Sequence, residues 1–304
     1  MIARFMLRRM AVRTACGVGA LVGFLGLGLC ADRGVSLSYK RTPGEIERCT
    51  IVVDGGGYAK DPLRMQQSRL HAEIVERQEV AKVGPADTAT LKSIWESAKI
   101  TVDGDTAELK GEGPTVESRT SGRGQILWTR SQGRERTFTG DVRIDPAQLS
   151  LLDWVTDQAL CLELPEGPLE VGQDWQTIER TEYEFTTAEM TRVAKLDSLG
   201  TGDKEGTCTI ASDVSAPLQL NFEADRVRFT GEVSGTMQHR FDCRAGRLLG
   251  GEGRLVIDLN GGPINPPPDQ APDAGTGLDF AVRMEFAFHV TCERVREGKA
   301  AHRP

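Results

Sequence analysis

The sequence predicts a mainly β protein of long, curved antiparallel sheets, half-barrel or sandwich-like, with one short connector helix near 146–157. Three observations carry this. Apolar and polar residues alternate in segment after segment, as in RVRFTGEVSGTMQHRFD (226–242) and DFAVRMEFAFHVTC (279–292), the period of a half-buried strand. Glycine-rich polar clusters such as GTGDKEG (200–206) punctuate these runs where turns are needed. Only one stretch shifts to helical spacing.

Taken in order, EIERCTIVV (45–53) reads as a strand ended by DGGG. SRLHAEIVERQEVAKV (68–83) has the composition of a helix but no 3.6-residue period. GPAD then supplies a turn, and TATLKSIWESAKITV (88–102) places Ile94, Ala98, Ile100 and Val102 on one face, so the pair reads as a hairpin. QILWTRS (125–131) and TFTGDVRI (137–144) follow as strands. Asp145 as N-cap, Pro146 at the first helical position and Gln148 at the third open a helix whose Leu149, Leu152 and Val155 keep helical spacing.

Alternation then resumes. LPEGPLEVGQDWQTIERTEYEF (164–185) is a turn and a strand, and 189–214 is a hairpin around GTGDKEG. Residues 226–260 form a longer hairpin turning near Arg244-Ala245-Gly246. NGGPINPPPDQAPDAGTG (260–277) is a loop, because proline cannot donate to a central ladder. Residues 279–295 are the last strand. The expected division is a signal peptide (1–31), two β halves (35–160 and 161–296) and a polar tail (297–304), the halves linked by a loose repeat of Gly44-Glu45-Ile46-Glu47 in Gly172-Gln173-Asp174-Trp175.

The chain's start points to export. Arg4, Arg8, Arg9 and Arg13 precede GVGALVGFLGLGL, 13 uncharged residues too short and too glycine-rich for a bilayer-spanning helix. Cys30 follows at once. As a lipidation site it has acceptable Leu27 and Gly28 before it, but bulky Leu29 departs from the small residue such a site wants, and cleavage after Ala31 is the favoured expectation. The protein is thus expected outside the bacterial inner membrane, in the periplasm or the medium, or held to a membrane only through Cys30. Removing residues 1–31 deletes four of the 37 basic side chains and none of the 44 acidic ones, taking the net charge from −7 to −11. That field repels phosphate backbones and anionic headgroups, so nucleic acid is not an expected partner.

Of seven cysteines, five lie beyond Cys30: Cys49, Cys161, Cys208, Cys243 and Cys292. Export favours pairing, and two bridges drawn from five leave fifteen arrangements open. Strand parity places Cys49 with Ile51 and Val53, Cys243 with Phe241, and Cys292 with Val290, so these thiols point into a core. His239 shares the Cys243 parity and reads as a core histidine. No Cys-x-x-Cys and no suitable histidine pair exists, so no metal or other cofactor is expected.

LSYKRTPGEIERCTI, LPEGPLEVGQDW and FDCRAGRLLGGEGRLVIDL together resemble an uncharacterised family of exported, β-rich bacterial proteins, with a P-x-x-V-G-x-x-W approach to one strand and a late G-R-L-L-x-G-E-G-R-L hairpin. The resemblance implies a fold and a location; it implies no activity and no site residues.

Chemistry-bearing patterns are weak. GTGDKEG lacks the helix that a phosphate-cradling loop needs after it, and there is no G-x-S-x-G. The aspartates of 269–279 lack calcium-loop spacing. One pattern stands out. Gly231 and Gly235 share a parity with Val233 and Met237, while Gly251 and Gly253 share one with Leu249, Leu255, Ile257 and Leu259. Glycine on the apolar face of two neighbouring strands either lets a long sheet coil or leaves a concave apolar groove. The expected function is a non-enzymatic binding or scaffold module for an apolar small molecule or an envelope protein; the alternative is a hydrolase with a divergent site.

Overall fold

The computed structural model describes residues 34–61, 63–133, 136–144, 146–183, 186–222, 227–263 and 280–295. These form β1 (Ile46–Lys60), β2 (Met65–Val83), β3 (Ala89–Val102), β4 (Asp105–Leu109), β5 (Thr115–Thr120), β6 (Ile126–Gln132) and β7 (Phe138–Gly140). The helix α1 (Pro146–Leu160) comes next. After it run β8 (Asp174–Tyr183), β9 (Thr186–Leu199), β10 (Thr207–Phe222), β11 (Val227–Asp242), β12 (Arg247–Pro263) and β13 (Phe280–Val295).

All thirteen strands belong to one antiparallel sheet ordered β6-β5-β3-β2-β1-β13-β12-β11-β10-β9-β8, with β4 attached to β3 and β7 to β4. The chain enters at the centre with β1 and meanders outward to β6. It crosses one face of the sheet as α1, restarts at the opposite edge with β8, and meanders back to the centre. There β13 pairs with β1 from Ile46↔Val295 to Lys60↔Ala281. The two sequence halves therefore share one sheet.

That sheet curls. A single buried cluster unites Ile100 of β3 with Met190 of β9, strands far apart in the sheet order, and includes Leu152, Val155 and Ala159 of α1. Only a sheet wrapped around the helix brings these residues together. Edges β6 and β8 do not pair, so the wrap stays open: of the two expected arrangements the chain forms the half-barrel, not two packed sheets. Leu152, Val155 and Ala159 lie on one stripe of α1, which is why a helix of alternating-strand company can pack there.

One end is plugged by residues 34–45 and 161–169. Val35 and Leu169 exchange both backbone hydrogen bonds, Tyr39 N donates to Gly122 O, Lys40 N to Gly246 O, and Leu164 N to Arg123 O. Leu37, Leu162, Leu164 and Leu169 join Leu196, Ile210 and Phe241 in a second buried cluster beneath this plug.

Several expectations are corrected. The first strand does not stop at the glycines but continues to Lys60, because β1 is paired on both sides and the Phe286 ring lies where a Gly55 Cβ would be, 2.5 Å from Cδ1. A bulge in β3 at Glu96 sends Trp95, rather than Ile94, to the face that carries Ala98, Ile100 and Val102. Residues 137–144 hold only the short β7, which pairs with β4 and not with 126–132. On β12 a bulge beside Arg240, with Gly250 at φ 143°, brings Leu248 to the core in place of Leu249. The helix runs three residues longer than expected, to Leu160. Asp145, the leader with Cys30, the 269–279 aspartates and the tail lie outside the described residues.

Candidate functional site: the inner face of the half-barrel

The four glycines singled out by parity all lie on or beside the inner face, paired as Gly231↔Leu259, Gly235↔Leu255, Met237↔Gly253 and His239↔Gly251. Their missing side chains are replaced by neighbours. A Cβ on Gly253 would lie 2.5 Å from Phe288 Cζ, one on Gly235 2.6 Å from Leu255 Cδ2, and one on Gly251 2.7 Å from Gln238 O. At Gly231 it would meet the Asp258 carbonyl. Phe288 thus lies across the glycine of the adjoining strand, an arrangement that shields exposed backbone. Gly253→Ala is expected to cost about 1–3 kcal/mol through overpacking, read as a lower urea midpoint with an unchanged slope.

Burial lessens further along. At the end of the sheet opposite the plug, the inner face ends in Leu70 of β2, Leu218 of β10, Phe229 of β11, and Phe280, Val282 and Met284 of β13. All six are half-buried. Phe229 and Phe280 meet edge to face at 6.2 Å between centroids, across Gly261, where a Cβ would stand 2.7 Å from each side chain. Only glycine permits these two rings to converge there.

The inner face also carries a polar seam under α1. Arg192 Nη2 donates to Gln158 Oε1 at 2.9 Å, and His239 Nε2 meets Ala159 O at 3.2 Å. His239 is fully buried, which together with the Arg192 charge holds its imidazole down at about 3 and therefore neutral. With Nε2–H donating to the carbonyl, Nδ1 is left as a buried acceptor without a protein partner; the Ser212 and Thr156 hydroxyls and the Arg192 Nη1 donor are likewise buried without one. This pattern suits internal water rather than proton transfer. Nearby, burial and the charge of Asp157 push Glu76 up to about 7, opposed by its hydrogen bond from Ser93. Arg136 stacks on Trp95 at 3.8 Å from the ring centroid and donates to Asp153 of α1 at 2.8 Å. Sequence reasoning missed Glu76 and Arg192, although each interrupts an apolar parity: Ala72, Ile74 and Val80 for one, Met190, Ala194 and Leu196 for the other.

For nucleophilic catalysis the arrangement is poor. His71 has Nδ1 on Asp54 at 2.7 Å and Nε2 on Glu73 at 3.4 Å, leaving no nitrogen for a hydroxyl. On the outer face Thr291 Oγ1 lies 3.4 Å from His289 Nε2, with Glu252 4.0 Å from Nδ1, all exposed on neighbouring regular strands. These distances exceed those of a working nucleophile and base. Among the described residues no group of three or more His, Cys, Asp or Glu side chains could hold a metal ion, and no helix is long and apolar enough to cross a membrane.

Of the cysteines, Cys49 and Cys292 are directly opposite on β1 and β13 and form a disulfide. Cys161 is half-buried at the end of α1, its thiol pushed up by burial and by Asp157. Cys208 is buried and Cys243 half-buried, and both pack in the plug-end cluster. Compared with known proteins, the chain matches no family model, no curated protein and no solved structure.

Proposed function

We propose that this chain is an exported protein of the bacterial cell envelope that performs no chemistry of its own and holds an apolar ligand, an acyl chain or similar flexible hydrocarbon, at the unplugged end of its half-barrel. The observation that carries the reading is the apolar lining there. Leu218, Phe229, Phe280, Val282 and Met284 continue the inner face beyond the filled core yet stay half-buried. Apolar side chains gathered in one concavity bind through area removed from water, roughly 25 cal/mol per Å², and need few polar groups.

Export is supported by the basic and apolar leader and by the Cys49–Cys292 bridge, since disulfides persist in oxidising compartments. The net negative charge argues for a ligand whose headgroup stays in solvent or is uncharged.

The test is extraction of the full chain from a bacterial envelope followed by native mass spectrometry, where a bound lipid mass is expected. In parallel, titration with 1-anilinonaphthalene-8-sulfonate is expected to give saturable fluorescence. Phe229→Asp should weaken that binding about tenfold or more. Saturable binding unaltered by Phe229→Asp in a folded variant, or extraction without any bound lipid, would overturn the reading.

A further inference from the structure

The β10–β11 register sets Cys208 opposite Phe241 and Thr207 opposite Asp242. Cys243 is the next residue, the first of the turn into β12, and its N–H donates to Gly206 O at 2.8 Å. The two cysteines are therefore diagonal neighbours at one corner of the sheet. Both pack with the plug-end cluster of Leu196, Ile210 and Phe241. Thiols on one face of adjoining strands at the same corner can be brought to bonding distance by side-chain rotation.

We propose that Cys208 and Cys243 form a second disulfide, a redox-sensitive clasp made by thiol–disulfide exchange with an external disulfide such as glutathione disulfide. Exposure sets the order of events. Cys243 is half-buried and reachable, whereas Cys208 is 2% exposed. Interaction with the neighbouring Cys208 thiol also holds the Cys243 thiol below its ordinary value, and the same interaction raises Cys208.

Cys243 Sγ, as thiolate, attacks one sulfur of the oxidant; the S–S bond breaks and one glutathione thiolate leaves. Cys208 Sγ then attacks Cys243 Sγ in the mixed disulfide and expels the second glutathione. Two protein thiols are oxidised to one disulfide, one external disulfide is reduced to two thiols, and the two protein protons pass to the departing thiolates through solvent. The clasp fastens the β9–β10 turn to the β11–β12 turn, where Lys40 of the plug docks through Lys40 N to Gly246 O and Lys40 Nζ to Arg244 O. Of the five cysteines beyond Cys30, Cys161 is left as the odd thiol.

The experiment incubates the purified full chain in glutathione buffers of rising disulfide fraction, quenches with N-ethylmaleimide in denaturant, and maps peptides by mass. The expected product links the Cys208 and Cys243 peptides with loss of two hydrogens, its yield rising with the disulfide fraction and Cys161 remaining alkylated. Cys208→Ser is expected to trap one glutathionyl group on Cys243, while Cys243→Ser leaves Cys208 unmodified before denaturation. Both thiols fully alkylated at every ratio, or a link to Cys161 instead, would overturn the proposal. Because the wild-type map stands alone, a misfolded variant does not blunt the test, and the result is independent of lipid binding.

Discussion

Replacing Cys49 and Cys292 together by alanine should lower the unfolding free energy by about 3–5 kcal/mol. The bridge spans a sequence separation of 243 residues. In the chain-entropy account a loop of that size withdraws about 5 kcal/mol of freedom from the unfolded chain at 25 °C, and calorimetric views of disulfides lead to the same sign. Both cysteines are buried, so truncation also leaves some lost packing. Urea melts of the oxidised wild type and the double variant measure the difference, and thermal melts should fall by about 10 °C or more. A shift under about 1 kcal/mol would show that the first and last strands hold together in the unfolded ensemble without the bridge.

Glu76→Gln should do the opposite, and only above a certain pH. The carboxyl is 8% exposed, and burial with Asp157 nearby raises it from 4.5 to about 7. A folded-state value above the unfolded one means that the native protein holds this proton more tightly. The stability so gained is complete below about pH 4.5, declines as pH rises through the interval, and is gone above about pH 7. The interval corresponds to about 3 kcal/mol. Glutamine keeps the shape and can still accept from Ser93, but it never has to ionise beside Asp153 and Asp157. The variant is therefore expected to match the wild type at pH 4.5 and to exceed it by up to about 3 kcal/mol at pH 8. Parallel pH profiles for the two proteins would rule this out.

Much of the fold was legible because one face of nearly every strand is buried. Val233, Met237, His239 and Phe241 alternate cleanly with exposed Glu232, Thr236, Gln238 and Arg240, and β11 follows that pattern. The helix declared itself through Pro146 and the Leu152–Val155 spacing. Short strands without such a face did not: β4 and β5 carry few buried residues, although Asp103-Gly104 is a two-residue hairpin turn with both φ values positive, 53° and 103°. Bulges were invisible for a different reason. The extra residue at Glu96 is defined by its pairing with β2, a property of two strands and not of one.

The candidate site divides in the same way. The glycine parity on β11 and β12 could be read, since it is local. What fills the space, Phe288 from β13, comes from a third strand, and no pattern within 226–260 announces it. The half-buried end of the inner face depends on where α1 lies, which only packing decides. The polar seam left a fainter trace: arginine or glutamate on an apolar parity marks either a satisfied buried group or an error in the strand assignment, and Arg192 and Glu76 are the former.

The meeting of β1 and β13 has a consequence for how the molecule is made. β1 can acquire β2 on one side as soon as both have emerged, but its other side stays a naked row of amides and carbonyls until the last strand arrives. The interval covers nearly the whole chain. Contacts so distant in sequence slow folding, and an unpaired strand that will later be central invites pairing with other molecules in the meantime. Gly55-Gly56-Gly57 weakens that exposed edge because glycine makes a poor strand on its own. Delay thus falls on a segment unattractive to strangers, and β13 closes it through fifteen paired residues at once.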